Sequence, residues 1–261
     1  RGAAAATVFS QIVSAAYTLR LLAGIEREGG QKRIWHIHFC KEHMLYMVRT
    51  GFPLALQAVL FPVANSIVQA SVNRMGTDQI AAWGICDKLD MLIWLAADAM
   101  APALTTYTAQ NVGAGKAGRV KKGVLAGAGM SAACVAAISV VLFFGTDVMG
   151  HWFIPAEDAK DVIPLSVKYM KIMAPFFVFY ALAEAFSGAC CSMGDTVKPM
   201  LITLFGTCLL RIAGILAVLP RYGSMECIVW IYVASWLVTG IVFSVMFHIR
   251  ERRLKGDIDR E

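Results

Sequence analysis

An all-α, polytopic membrane fold is predicted by three properties of this sequence. Of its 261 residues, 58% are hydrophobic and only 16% are charged, and the mean hydropathy is +0.61. Apolar runs recur from one end to the other, so no stretch is left over for a water-soluble domain. Basic residues gather in short clusters between those runs, so the net charge of +6 reads as loop charge. It does not form the stripe a nucleic acid would need, and no nucleic-acid partner is expected.

Crossing about 30 Å of hydrocarbon takes about 20 mostly apolar residues. Seven segments qualify: 2–25, 50–72, 80–109, 123–145, 162–191, 199–219 and 226–248. The first follows Arg1 with no cleavable leader pattern, and the chain is expected to be a fragment. The second is uncharged but carries Gln57, Asn65 and Gln69. The third and fifth are long and bear charges. The sixth holds Arg211, and the seventh runs into the tail IRERRLKGDIDRE. The expected organisation is therefore a six-helix transmembrane bundle over 50–248 plus one preceding transmembrane helix, 1–25. Residues 26–49 form the linker between them and 249–261 the tail. The seven cysteines (Cys40, Cys86, Cys134, Cys190, Cys191, Cys208 and Cys227) are odd in number and scattered. They read as small packing residues, not as a disulfide framework.

Lys and Arg stay on the cytoplasmic side during insertion. With the tail inside, seven spans put fifteen basic residues in inside loops, among them Lys116, Arg119, Lys121, Lys122 and Lys198. The outside loops hold Arg1, Arg74, Lys160 and Arg221, with Lys168 and Lys171 at an outer helix end. This asymmetry predicts a multi-pass protein of the plasma membrane, the cell's inner membrane, with its linker and C-terminus cytoplasmic. Residues 145–161 are acidic and outside, with Trp152 and Phe153 suited to the interface.

A charge at mid-bilayer costs about 2.5 to 3.5 kcal/mol on insertion scales, so each intramembrane ionisable residue needs protein or water beside it. On a helical wheel Asp87, Asp90 and Asp98 share an arc of roughly 80°, with Lys88 outside it. One polar face with Trp94 near its middle suits a helix lining a wet cavity. The alternative puts Asp87 and Asp90 in the outer water or against a neighbouring helix. Glu184 lies past mid-bilayer, downstream of Pro175, whose missing N–H breaks a helix and frees carbonyls for a cation. Three roles stay open for Glu184: a structural ion pair with Arg211, proton or sodium coupling, or a substrate contact. Desolvation favours the neutral form of a carboxylate, so such a group can take a proton on one side and yield it to an arriving cation.

Other motifs carry less. GAGKAG, residues 113–118, fits a dinucleotide-binding glycine pattern, but a membrane span precedes it where a strand is required. It also lacks the Ser or Thr of a phosphate loop at Ala117, and reads instead as a turn anchored by its lysines. Here Asn111 and Gly113 end one span, while Gly115 and Gly118 allow the turn. In WHIHFCKEH, His36, Cys40 and His43 would share a helical face that zinc could use. A linker helix with Trp35, Phe39 and Tyr46 against the bilayer explains the same residues, and no metal is assigned. No serine nucleophile elbow or H-E-x-x-H pattern occurs, so the chain is not read as an enzyme. Its thirteen Met residues suit flexible packing or, in a cavity, promiscuous apolar contacts.

The runs GFPLALQAVL (51–60), NRMGTDQIAAWGICDKLD (73–90), AQNVGAGKAGRVKKG (109–123) and SMGDTVKPM (192–200), with Arg211, resemble the C-terminal half of the multidrug and toxic compound extrusion (MATE) transporters. The opening GAAAATVFSQIVSAAYTLRLL resembles the end of their N-terminal half. The resemblance implies helix six, the linker and helices seven to twelve of two six-helix bundles. It further implies a secondary efflux transporter, monomeric when full length, that exchanges lipophilic and often cationic drugs or metabolites for H⁺ or Na⁺ by alternating access. Its expected partners are membrane lipids and those small substrates, with no cofactor beyond the coupling ion. Two departures stand out. Cys190, Cys191 and Ser192 replace a frequent Arg-Gly, and the seventh family helix has no carboxylate, only Gln57, Asn65 and Gln69. The alternative function is a lipid-linked saccharide or lipid flippase of a related two-bundle family.

Overall fold

In hydrocarbon a backbone must satisfy its own polar groups, and a helix does so within one segment. The computed structural model describes residues 2–28 and 40–258, and among them there is no strand. The helices are α1 (Gly2–Glu28), α2 (Lys41–Val72), α3 (Thr77–Gly113), α4 (Ala117–Gly150), α5 (Ala156–Met173), α6 (Phe177–Ser192), α7 (Val197–Thr203), α8 (Leu210–Tyr222) and α9 (Met225–Ile258). A 3₁₀ turn, Ala174–Phe176, joins α5 to α6, and a π turn, Leu204–Leu209, joins α7 to α8. The protein is an all-α, multi-pass membrane protein.

Each of the seven expected spans falls on helix. Five rods, 41–72, 117–150, 157–192, 197–222 and 225–256, are long and apolar enough to cross a bilayer. Helices α1 and α3 have the length, 27 and 37 residues, but polar side chains dilute them. In α1 these include Gln11, Ser14 and Arg20, and in α3 Asp87, Lys88, Asp90 and Asp98. The stretch expected as linker, 26–49, is shorter than its assigned bounds, because α2 already begins at Lys41. Met44, Leu45, Tyr46, Met47 and Val48 extend its apolar run. Likewise the tail is helical through Ile258. His36, Trp35 and Phe39 lie outside the described residues. Cys40 immediately precedes α2, His43 lies in its first turn, and both are exposed.

By internal contacts the chain divides into two units, Arg1–Val48 and Arg49–Glu261. In the first, α1 exposes Phe9, Ile12 and Tyr17. All the packing that follows belongs to the second. There α6 is central, packing against α3, α4 and α9. Its sequence explains why: Ala181, Ala183, Ala185, Gly188 and Ala189 keep its surface low, and small residues let membrane helices approach closely. A Cβ at Gly188 would stand 2.7 Å from Thr105 Oγ1, and one at Gly240 of α9 only 2.7 Å from the carbonyl oxygen of Phe179. Around these contacts Ile93, Leu142, Met170, Met173, Phe177 and Ile228 form one buried cluster. Toward the basic end, Leu104, Val124, Phe186 and Phe247 form a second.

The helix ends follow local chemistry. At GAGKAG, α3 stops at Gly113 and the chain turns with Gly115 at φ 67°, a left-handed conformation that costs glycine little. The Lys116 N–H closes the turn on the Asn111 carbonyl at 2.9 Å. Gly118 does not share in the turn as the sequence suggested; it lies within the first turn of α4. Pro53, Pro62 and Pro102 are absorbed inside α2 and α3, whereas Pro175 marks the 3₁₀ break expected after α5.

At the basic end a charge cluster ties three segments together. Asp195, in the turn after α6, receives Lys198 Nζ at 2.9 Å and Arg250 Nε at 3.8 Å. Arg250 also donates to the Met193 carbonyl at 3.1 Å. The nearly buried Glu251 pairs with Lys121 of α4 at 3.3 Å. Burial alone would raise the Asp195 carboxyl, but hydrogen bonds from the Lys198 side chain and backbone, with the charges of Lys198 and Arg250, hold it below the usual aspartate range.

Two outcomes test this packing. Gly240→Ala should cost about 1 to 3 kcal/mol by overpacking, seen as a lower unfolding temperature in detergent, while Gly129→Ala, with nothing within 4 Å, should not. The stabilisation that Asp195 provides over Asp195→Asn should be fully present above the ordinary aspartate range and fade as pH falls through its depressed native value. Denaturant titrations of both proteins between neutral pH and acid would show the two curves converging.

Candidate functional site

Arg211 fixes the site. It lies on α8, is 3% exposed, and a guanidinium in that position must be paired or hydrogen-bonded. Its Nε donates to Ser235 Oγ of α9 at 2.9 Å, and its Nη1 donates to Asn65 Oδ1 of α2 at 3.3 Å. Its Cζ stands 3.8 Å over the ring of Tyr232, a cation–π contact. One cation thus draws together α2, α8 and α9.

Directly beside it is a small cavity of about 30 Å³, room for about one water-sized occupant, walled by Trp94, Tyr180, Glu184, Thr207, Arg211 and Trp236. Phe61, Ala183, Thr203, Thr239 and Phe243 complete its lining. The π turn aims part of this wall. Its wider winding, frequent at functional sites, sets Thr203, Thr207 and Arg211 toward one space, and Gly206 lets Thr239 approach. The Thr207 and Thr239 hydroxyls are 3.4 Å apart. Rings enclose the rest: Trp94 stacks on Tyr180 at 6.2 Å, Tyr180 lies 6.4 Å from Trp236, and Tyr232 lies 5.8 Å from Trp236.

Glu184 and Arg211 share this cavity without closing on each other. Among the described residues no ion pair within 4 Å joins them, so the structural pair expected as one alternative is absent. The reason is geometric, since the guanidinium is already claimed by Asn65, Ser235 and Tyr232. Glu184 is partly buried on α6, with its carboxylate left for other partners.

The three aspartates of α3 do not form one site. Their angular alignment is real, but eleven residues of helix separate Asp87 from Asp98 by about 16 Å along the axis. Asp98 is exposed and lies within electrostatic range of Glu184 and Tyr180. Asp87 is exposed too, and beside it Asp90 is half-buried with its Oδ1 lacking a hydrogen-bond partner. On α2, Asn65 reaches the site through Arg211. Gln57 is half-buried outside the cavity lining, and Gln69 bonds to Asn73 at 2.9 Å. Sequence reasoning missed Tyr180, Thr207, Tyr232 and Trp236 as site residues. The i, i+4 aromatic pair Tyr232 and Trp236 was the available signal.

Apolar helices closed around a carboxylate, a buried cation and a ring of aromatic side chains define a multi-pass membrane protein with an intramembrane polar site. The MatE family model matches residues 53–216, more than half of the sequence, and the chain belongs to that family. It is similar to a "FAD transporter" of Shewanella oneidensis, 27% identical over 125 residues, covering 48% of this chain and 27% of that protein. Similar too is "Probable multidrug resistance protein YoeA" of Bacillus subtilis, 20% identical over 201 residues, 76% of this chain and 42% of that one. The chain thus spans less than half the length of these curated relatives. Its fold matches a solved structure described as "Crystal structure of MATE in the straight conformation", with a TM-score of 0.82 at 18% identity, over 98% of this chain and 57% of that one.

Asn65→Ala removes the side chain that carries Arg211 to α2. It should cost about 0.6 to 1.7 kcal/mol, the range of interhelical hydrogen bonds in membranes. Amide exchange should rise across 57–68 while α9 stays protected; unchanged exchange in α2 would show that Asn65 does not tether it.

Proposed function

We propose that this chain forms one bundle of a secondary active efflux transporter, which exchanges lipophilic and often cationic compounds for H⁺ or Na⁺ by alternating access. The observation that carries this reading is a free carboxylate, Glu184, facing a cavity walled by Trp94, Tyr180 and Trp236. Aromatic faces attract cations by about 0.5 to 2 kcal/mol, more when desolvated, and once the cavity opens beyond its present volume of about 30 Å³ a flat lipophilic cation satisfies rings and carboxylate together. A proton or Na⁺ satisfies the carboxylate alone. The two occupants compete for one negative charge in a medium where leaving it bare is costly, and competition for a site open to alternate sides is antiport.

The Pro175 break in the 157–192 rod supports this reading, because interrupted helices place cation-binding groups at membrane depth. On the same reading the protein acts as a monomer in the plasma membrane, with the basic end carrying Lys116 to Lys122, Lys198 and the C-terminus in the cytoplasm. A second reading, an anionic cargo, rests on Arg211 in the cavity wall and on the flavin dinucleotide in the name of the Shewanella relative.

In the full-length transporter, ethidium efflux should collapse when both the proton and sodium gradients are dissipated; efflux indifferent to both would remove the antiport reading. Glu184→Gln should lower gradient-driven efflux to the passive level while the protein still reaches the membrane. Efflux of an anionic dinucleotide in place of ethidium, abolished by Arg211→Gln, would favour the second reading.

A further inference from the structure

Away from the cavity, α7 and α9 part toward the basic end to leave an open groove of about 490 Å³. Its walls are hydrocarbon: Leu201 and Ile202 on α7 face Val242, Val245 and Ile249 on α9. Val245 is 54% exposed and Ile249 49%, so nothing in the bundle covers them. At one end the lining changes abruptly to Lys198, Arg250 and Arg253. On α9 the positions 242, 246, 249, 250 and 253 follow helical spacing, so one face of this helix passes from apolar to cationic.

The cations exceed their counter-charge. Asp195 is the carboxylate paired with Lys198 and Arg250, and the exposed Arg253 is in none of the ion pairs among the described residues. Three positive groups against one negative leave a rim that attracts an anion. The rim stands where the spanning stretch of α9 gives way to RERRLK, at headgroup level.

We propose that this groove is a binding site for an anionic glycerophospholipid, with its phosphate held by Arg253 and Lys198 and an acyl chain lying along Leu201, Val245 and Ile249. A soluble anion would use the rim and waste the walls. A zwitterionic lipid would bring a second ammonium into a cluster that already has too many. A basic pocket between membrane helices is the general setting in which acidic lipids are recognised.

The test is native mass spectrometry of the chain released from detergent micelles supplied with equal phosphatidylglycerol and phosphatidylcholine. Wild type should retain phosphatidylglycerol with at least a tenfold preference. Lys198→Gln with Arg253→Gln should abolish that preference, since two basic residues, each with the attraction typical at a membrane surface, account for more than a tenfold difference. Lys122→Gln with Lys255→Gln, the same charge loss away from the groove, should leave it intact, and circular dichroism should show both doubles folded. Equal loss in both doubles would mean bulk electrostatics and would overturn the site. So would displacement of the lipid by an equal concentration of glycerol phosphate, which would mean anion binding without the walls. A dimer retaining no phosphatidylglycerol would show that a second copy covers the groove, and would overturn it as well.

Discussion

A guanidinium held almost out of reach of solvent inside an apolar bundle is the constraint on which the rest of this structure depends. Arg211 remains charged under ordinary conditions, so the fold must supply its neighbours or the helix could not sit where it does. The supply comes from Ser235 and Tyr232 on the next helix and from Asn65 on a helix distant in sequence. All three are neutral. The charge is solvated by dipoles and a ring face and not cancelled, so a positive field persists in the cavity wall opposite Glu184. Had the two closed into a pair, the bundle would hold an inert bridge. Kept apart, the carboxylate stays available to an occupant, and the guanidinium keeps its charge in the cavity wall.

That separation is maintained by packing on both sides. Glu184 rides on α6, the helix most tightly enclosed, where Gly188 and the contact of Gly240 with the Phe179 carbonyl leave little freedom. Arg211 is set by the π turn and by the aromatic cluster of α9. Helix α2 is held more lightly: its buried side chains are few, Pro53, Ala64, Val68 and Val72, and Asn65 is its polar tie to the bundle. The site thus has two fixed walls and one that can yield, an arrangement suited to a cavity that must change its opening.

Much of the fold was legible, because hydrocarbon leaves a polypeptide few choices. Apolar runs of spanning length became helices, and Pro175 broke one where expected. The helix bounds moved outward, since a helix does not end where the hydrocarbon does; α2 takes in Met44 to Val48 and α9 carries on through its basic tail. The site was legible only in part. Composition singled out Glu184 and Arg211 as costly residues needing reasons, but not what each would touch. Asn65 is 146 residues from Arg211, and no local pattern encodes that meeting. The helical wheel aligned Asp87, Asp90 and Asp98 correctly in angle while ignoring distance along the axis. The π turn left no clear trace beyond Gly206 and Thr207 in an apolar run.

That turn makes the segment from α7 to α8 sensitive to counting. A π turn accommodates one residue more than the same length of α-helix, and each residue advances the helix by about 100°. Deleting a single residue between Leu204 and Leu209 would let the segment relax to regular winding at no loss of backbone hydrogen bonds. Relative to α7, Arg211 would keep nearly its present direction, because the turn already takes up the extra residue; a further insertion would instead add about 100° and break the register of the groove-facing residues of α7 with the cavity-facing residues of α8. In this segment the sense of a length change matters: loss of one residue within the turn would be absorbed, and gain of one would not be.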